Sequence, residues 1–199
     1  ITCALALAIA TPFSLATAIF MTEISPELGK RFVQPAVEIF VGIPSVVYGW
    51  IGLTILVPLI KNIFNLRFGF SVLAAGIVLA VMIFPTITSL AADALRSIPK
   101  SYRAASYGLG ATRWQTIAKV VVPAAITGLM TAVILGLARA FGEALAVAMV
   151  IGKMRAFPTS LLSPTNNLTA AIAADMGGAM EGSEYNIALW TMALMLFII

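Results

Sequence analysis

The run SVLAAGIVLAVMIF, residues 71–84, is uncharged and apolar on every face of any helix it could form. A soluble amphipathic helix keeps a polar side, so a stretch without one has to be surrounded by protein or lipid. Similar runs occupy residues 1–21, 33–60, 70–92 and 120–151, and another opens near residue 187 and continues to the end. A helix needs about 20 residues to cross the hydrocarbon core, so the pattern predicts five spans, the last incomplete. Composition agrees: of 199 residues 61% are hydrophobic and 10% charged, against about 25% charged in soluble domains. The expected fold is all-α, a polytopic transmembrane helical bundle with residues 1–199 as a single membrane domain.

Other classes fit poorly. Barrel strands alternate polarity over about 10 residues, and a secretory leader has one short apolar region, not several. One cysteine, Cys3, and no histidine leave disulfide frameworks, metal sites and histidine-based catalysis badly supplied; no cofactor is expected. The net charge of +4 is read through loop placement, and no nucleic-acid partner is expected.

Residues 93–119 carry Arg96, Lys100, Arg103, Arg113 and Lys119 against Asp93. The positive-inside rule makes this loop cytoplasmic. Residues 22–32 then lie inside, while residues 61–68 and the long segment 152–186 lie outside, the latter with Lys153 and Arg155 against Asp175, Glu181 and Glu184. That orientation puts residue 1 outside, so a cytoplasmic start would require at least one further span before it. The small residues and glycines of 152–186 permit a surface or partly re-entrant helix. Its Asn167-Leu168-Thr169 triplet spells a glycosylation pattern too short to carry weight.

Two spans are longer than a crossing needs. In residues 33–60, Gly42, Pro44 and Gly49 interrupt the run, and Pro44 lacks a backbone donor. Both a proline kink and a break lining a polar pathway fit. Glu38, in the same run, reads as an acid near a helix N-terminus, favoured by the dipole.

The cytoplasmic loop has internal order. Pro99 suits a helix start, Ala104, Ala105 and Ser106 give a small face, and Gly108 and Gly110 a stop. Thr112 to Gln115 reads T-x-x-Q, a capping box opening a second helix. Tyr102, Arg103, Tyr107, Arg113 and Trp114 are residue types that anchor interfaces. A solvated connector is the plain alternative, but loops this long with their own helices are usually functional.

This loop resembles the EAA loop of permease subunits of bacterial and archaeal ABC importers, whose pattern is E-A-A, three residues, Gly, nine residues, then I-x-L-P. Ala104, Ala105 and Ser106 stand at the E-A-A positions, Gly110 at the glycine, and Val120, Val122 and Pro123 in the terminal motif; Ala104 replaces the acid often found there. The resemblance implies a MetI-like permease fold in a bacterial or archaeal plasma membrane. It also implies a coupling helix within Tyr102 to Lys119 docking on a cytoplasmic ATPase dimer, with Tyr102, Arg103, Ala104, Ala105, Ser106, Gly110, Thr112 and Pro123 as docking residues, and a second permease subunit beside it. Residues 23–53, 134–152 and 166–177 are most similar to the phosphate-uptake type, its PstC-like subunit. That implies inorganic phosphate as substrate and an extracytoplasmic phosphate-binding protein as partner. The family's R-A-L-G-E-T reads here Arg139, Ala140, Phe141, Gly142, Glu143, Ala144.

Arg139 and Glu143 are four residues apart, so one continuous helix would place them on one face, able to pair. An unpaired charge at the bilayer centre costs about 2.5–3.5 kcal/mol on insertion scales, so the expected role is a translocation pathway or gate. A packing ion pair or a snorkelling arginine are the alternatives. On the same continuous helix, a movement at Gly110 would reach the pair directly. No G-x-x-x-x-G-K-[ST] loop is present, so the chain is expected to be a transport subunit and not the ATPase. A sulfate or molybdate permease and an ion-coupled secondary transporter are the competing functions; an intramembrane enzyme lacks a visible nucleophile and base.

Overall fold

The computed structural model describes residues 1–154 and 156–198; Arg155, counted above among the outer-loop charges, lies outside them, as does Ile199. The described residues are helical apart from loops and an isolated parallel bridge between Gly152 and Thr165, as the all-α expectation requires. Thr2–Ile24, Ser45–Ile63 and Val72–Arg96 are each long and apolar enough to cross a membrane. Arg113–Ala124 and Ile126–Gly142 make a fourth span if their bent pair is taken as one, and Glu184–Ile198 is a shorter apolar helix.

Two expected spans change. The run 33–60 is not one helix: Gln34–Gly42 ends, Pro44 is extended at φ −58° and ψ 139°, and a new helix opens at Ser45. The missing N–H and fixed φ of proline account for the stop. Glu38 consequently lies deep in the helical stretch 26–42, not at a helix start, and accepts from Gln34 Nε2 at 2.9 Å. The run 120–151 is also divided. Its helix bends by 67° at Ala125, then stops at Gly142 before Leu145–Val150 begins.

A proline rule explains much of the irregular winding. Phe20–Ile24, Gly29–Val33, Gly52–Leu56 and Ile117–Val121 are π-helical turns, and each is followed, two residues on, by Pro26, Pro35, Pro58 or Pro123. The residue just before each proline sends its N–H five residues back, as Val122 does to the Ile117 carbonyl. A proline ring collides with the carbonyl four residues earlier; widening the turn by one residue relieves that collision. Pro12 and Pro85 sit inside regular α-helices instead.

The chain divides into two compact units, residues 1–6, 43–80 and from 139 on, and residues 7–42 and 81–138. In the first, Leu145–Val150 packs against Ser45–Ile51, and Leu168–Asp175 against Glu184–Ile198, around buried Val72, Leu79, Val147, Val150, Ile151 and Leu189. Segment 152–186, whose composition permits a helix, contains Leu168–Asp175; Asn167 caps it, accepting from the Ala170 N–H at 2.8 Å. In the second, Met82, Ile83, Ile87 and Leu95 are buried with Met21, Val121 and Leu129. The Ser14 hydroxyl there donates to the Phe84 carbonyl at 3.1 Å, so this fully buried polar group is satisfied.

Candidate functional site

Within the second unit, residues 97–121 form the two-helix loop. Pro99 precedes Lys100–Gly108, and Gly110 turns the chain at φ +81°, a left-handed conformation that glycine adopts without steric cost. Arg113–Thr116 opens with the full capping box: Thr112 Oγ1 accepts from the Gln115 N–H, and Gln115 Oε1 from the Thr112 N–H at 2.9 Å. The hydroxyls of Ser106 and Thr116 meet at 2.9 Å.

The loop has two faces. Outward, an open groove of about 470 Å³ is lined by Ser101, Tyr102, Ala105, Ser106, Leu109 and Val120. Leu109, in its lining, is 90% exposed, and Trp114 of the next helix 68%. Tyr102, Ala104, Ala105, Gly110, Thr112 and Pro123 are exposed.

Inward, Arg103 is turned away from that surface. Its Nε and Nη2 donate to the two carboxylate oxygens of Glu23 at 3.1 and 2.5 Å, a bidentate fork. Nη1 and Nη2 also reach the Ile98 and Leu95 carbonyls at 2.8 and 3.1 Å, near the C-terminal end of Val72–Arg96, where helix carbonyls lack partners. Hydrogen bonding to Glu23 is the largest cause holding the guanidinium pKa above its ordinary value, against the opposing effect of burial. Arg113 Nη2 donates to the Glu23 backbone carbonyl at 2.6 Å. Sequence reasoning missed Glu23: it lies 80 residues from Arg103, and its only signal was an acid just past the end of the first apolar run.

In the first unit, the charged motif sits on a helix break. Arg139 occupies the last turn of Ile126–Gly142, half-buried, within electrostatic reach of the Tyr48 side chain. Glu143 lies beyond the helix end, so the continuous helix assumed for the pair is absent. Instead Glu143 Oε1 accepts from the Ala146 N–H at 3.0 Å, and its carbonyl from Thr169 Oγ1 at 2.9 Å. The carboxylate therefore satisfies an orphan donor at the start of Leu145–Val150. A Cβ on Gly49 would lie 2.8 Å from Ala146 Cα, so the glycine permits the two short helices to touch. Gly42 and Pro44 mark the end of one helix and the approach to Ser45–Ile51. The 67° bend at Ala125 also removes the straight helical path from Gly110 to Arg139.

The chain is 58% identical over 190 residues to the probable ABC transporter permease protein YqgH of Bacillus subtilis (strain 168), covering 96% of this chain and 62% of that protein. It is 39% identical to the phosphate transport system permease protein PstC of Haemophilus influenzae, covering all of this chain and 69% of the relative. A further relative, the probable phosphate transport system permease protein PstC of Methanocaldococcus jannaschii, is 32% identical, again over all of this chain and 68% of that protein. In fold it is similar to a chain of the inward-facing MetNI methionine ABC transporter, with a TM-score of 0.71 at 22% identity, over 99% of this chain and 82% of that one. Residues 9–199 match the family described as binding-protein-dependent transport system inner membrane component, and the chain belongs to that family of multi-pass membrane proteins.

Proposed function

We propose that this chain is a membrane-spanning subunit of an ATP-driven importer of inorganic phosphate. The observation that carries the substrate is the alignment of the whole chain with relatives named for phosphate transport. The site chemistry is compatible with it. Arg139 offers a planar fork of donors matched to phosphate oxygens, beside a helix break whose backbone is tolerated in a membrane where it borders protein or a watery path. Glu143, whose Oε1 accepts from the Ala146 N–H, adds a negative charge beside the same break, which keeps the anion site weak enough to release.

In this reading the exposed face of residues 100–116 docks on a cytoplasmic ATPase dimer. A second permease subunit completes the pathway, and a phosphate-binding protein delivers the ion on the opposite side, where segment 152–186 lies. The test is uptake of labelled phosphate by the assembled transporter in proteoliposomes, with sulfate and molybdate as competitors. ATP-dependent uptake competed only by phosphate is expected, with a large loss in Arg139→Lys, which keeps charge but not the fork. Uptake without ATPase would favour an ion-coupled carrier, and competition by sulfate or molybdate another oxyanion permease.

A further inference from the structure

We infer that Glu23 and Arg103 form the tie through which the docking loop moves the first spanning helix, an inference that rests on the importer reading above. Glu23 lies in the π-helical turn Phe20–Ile24 that ends Thr2–Ile24, and only 9% of it is exposed. Two chain segments bind it directly, and a third is tied to the same arginine. Arg103 of Lys100–Gly108 grips both carboxylate oxygens, Arg113 of the next helix binds the Glu23 carbonyl, and the same Arg103 holds the Leu95 and Ile98 carbonyls where Val72–Arg96 ends.

Stability alone is a weak reason for this arrangement, because an apolar set of similar volume would commonly hold such a site as well as a buried ion pair does. What a guanidinium fork adds is a fixed geometry among several acceptors at once. The loop thus presents its groove, Leu109 and Trp114 to a partner on one face and a rigid multi-point bond to the end of a spanning helix on the other. A displacement of the outer face is carried to Thr2–Ile24 through Arg103 and Glu23. The bend at Ala125 leaves the second helix of the loop without a straight course into its own span, so the bonds to Glu23 are a separate link from the loop to a spanning helix. Glu23 and Arg103 are positioning residues for coupling and touch neither transported ion nor nucleotide.

The test uses the full-length chain assembled with its permease partner and ATPase in proteoliposomes, recording phosphate uptake and ATP hydrolysis on the same preparation. Wild type that neither retains the ATPase nor takes up phosphate overturns the importer reading itself, before any variant is compared. With an active wild type, Glu23→Gln keeps the ATPase bound and hydrolysing while uptake per ATP falls at least about fivefold, the low end of typical coupling between sites. Glu23→Asp recovers part of the ratio. An unchanged ratio in Glu23→Gln overturns the tie. If that variant does not assemble, Arg103→Lys decides: charge without the fork lowers the ratio if the tie is real, and an unchanged ratio overturns it. Failure of all three variants to accumulate in membranes marks the pair as a folding element and likewise overturns its coupling role.

Discussion

Ser106 Oγ and Thr116 Oγ1 lie 2.9 Å apart, a buried hydroxyl pair that joins the two helices of the loop 97–121. Thr116→Val keeps the shape and removes the hydroxyl, leaving Ser106, only 8% exposed, without that partner. An unsatisfied buried polar group costs about 1–3 kcal/mol. Hydrogen exchange of the amides in residues 100–116 is expected to accelerate about 5- to 30-fold, as for a loss of 1–2 kcal/mol. Adding Ser106→Ala to Thr116→Val should restore part of the protection, because two apolar partners leave nothing unsatisfied. Strictly additive damage would show that the hydroxyls do not act as a pair.

Gly110 has open space around its α-carbon, and its φ is +81°, so substitutions there act through the backbone and not through collision. Gly110→Val is expected to cost about 1–2 kcal/mol, while Gly110→Asn costs less because asparagine tolerates the left-handed region. Copurification of the ATPase should fall in the order Gly, Asn, Val. Equal retention by all three would remove the turn from any docking role.

Much of the loop was legible because its signals are local. Thr112 and Gln115 are three residues apart and cap one helix end, and Pro99 and Gly110 bracket the first helix by rules that need no tertiary partner. Apolar length located the spans for the same reason. What escaped was set by pairing at a distance or by the competition of proline with regular winding. Nothing in spacing joins Glu23 to Arg103. Apolar length alone ran the second span through Pro44, although the backbone stops there, and read 120–151 as one helix although it bends at Ala125 and breaks after Gly142. The Arg139 and Glu143 reading assumed a helix that continues through both residues. The residue pattern R-A-F-G-E-A cannot reveal that the glutamate caps the following helix.

Gly49 tests the packing beside that break. A methyl there would stand 2.8 Å from both Ala146 Cα and Met149 Sδ; the sulfur can swing aside, but the backbone carbon cannot. Overpacking of this kind costs about 1–3 kcal/mol, so Gly49→Ala is expected to lower the melting temperature of the detergent-solubilised protein and Gly49→Leu to lower it further. A Gly49→Ala variant as stable as wild type would mean that Leu145–Val150 and Ser45–Ile51 are not held in contact.

Glu143 allows its two roles to be separated. As a cap, its Oε1 accepts from the Ala146 N–H; glutamine offers a similar oxygen and alanine offers none. Glu143→Gln should therefore keep the wild-type melting temperature, while Glu143→Ala loses about 1 kcal/mol, the usual worth of a cap. As a counter-charge, glutamine and alanine both fail. In the phosphate-pathway reading proposed above, loss of the carboxylate removes one negative charge beside the helix end that carries Arg139, so an arriving phosphate is held more tightly and released more slowly. In Glu143→Gln the KM for phosphate and the maximal uptake rate should fall together, each on the order of fivefold for about 1 kcal/mol. A higher KM at unchanged maximal rate would instead make Glu143 part of ordinary substrate binding, and wild-type kinetics would reduce it to the cap that its hydrogen bond describes.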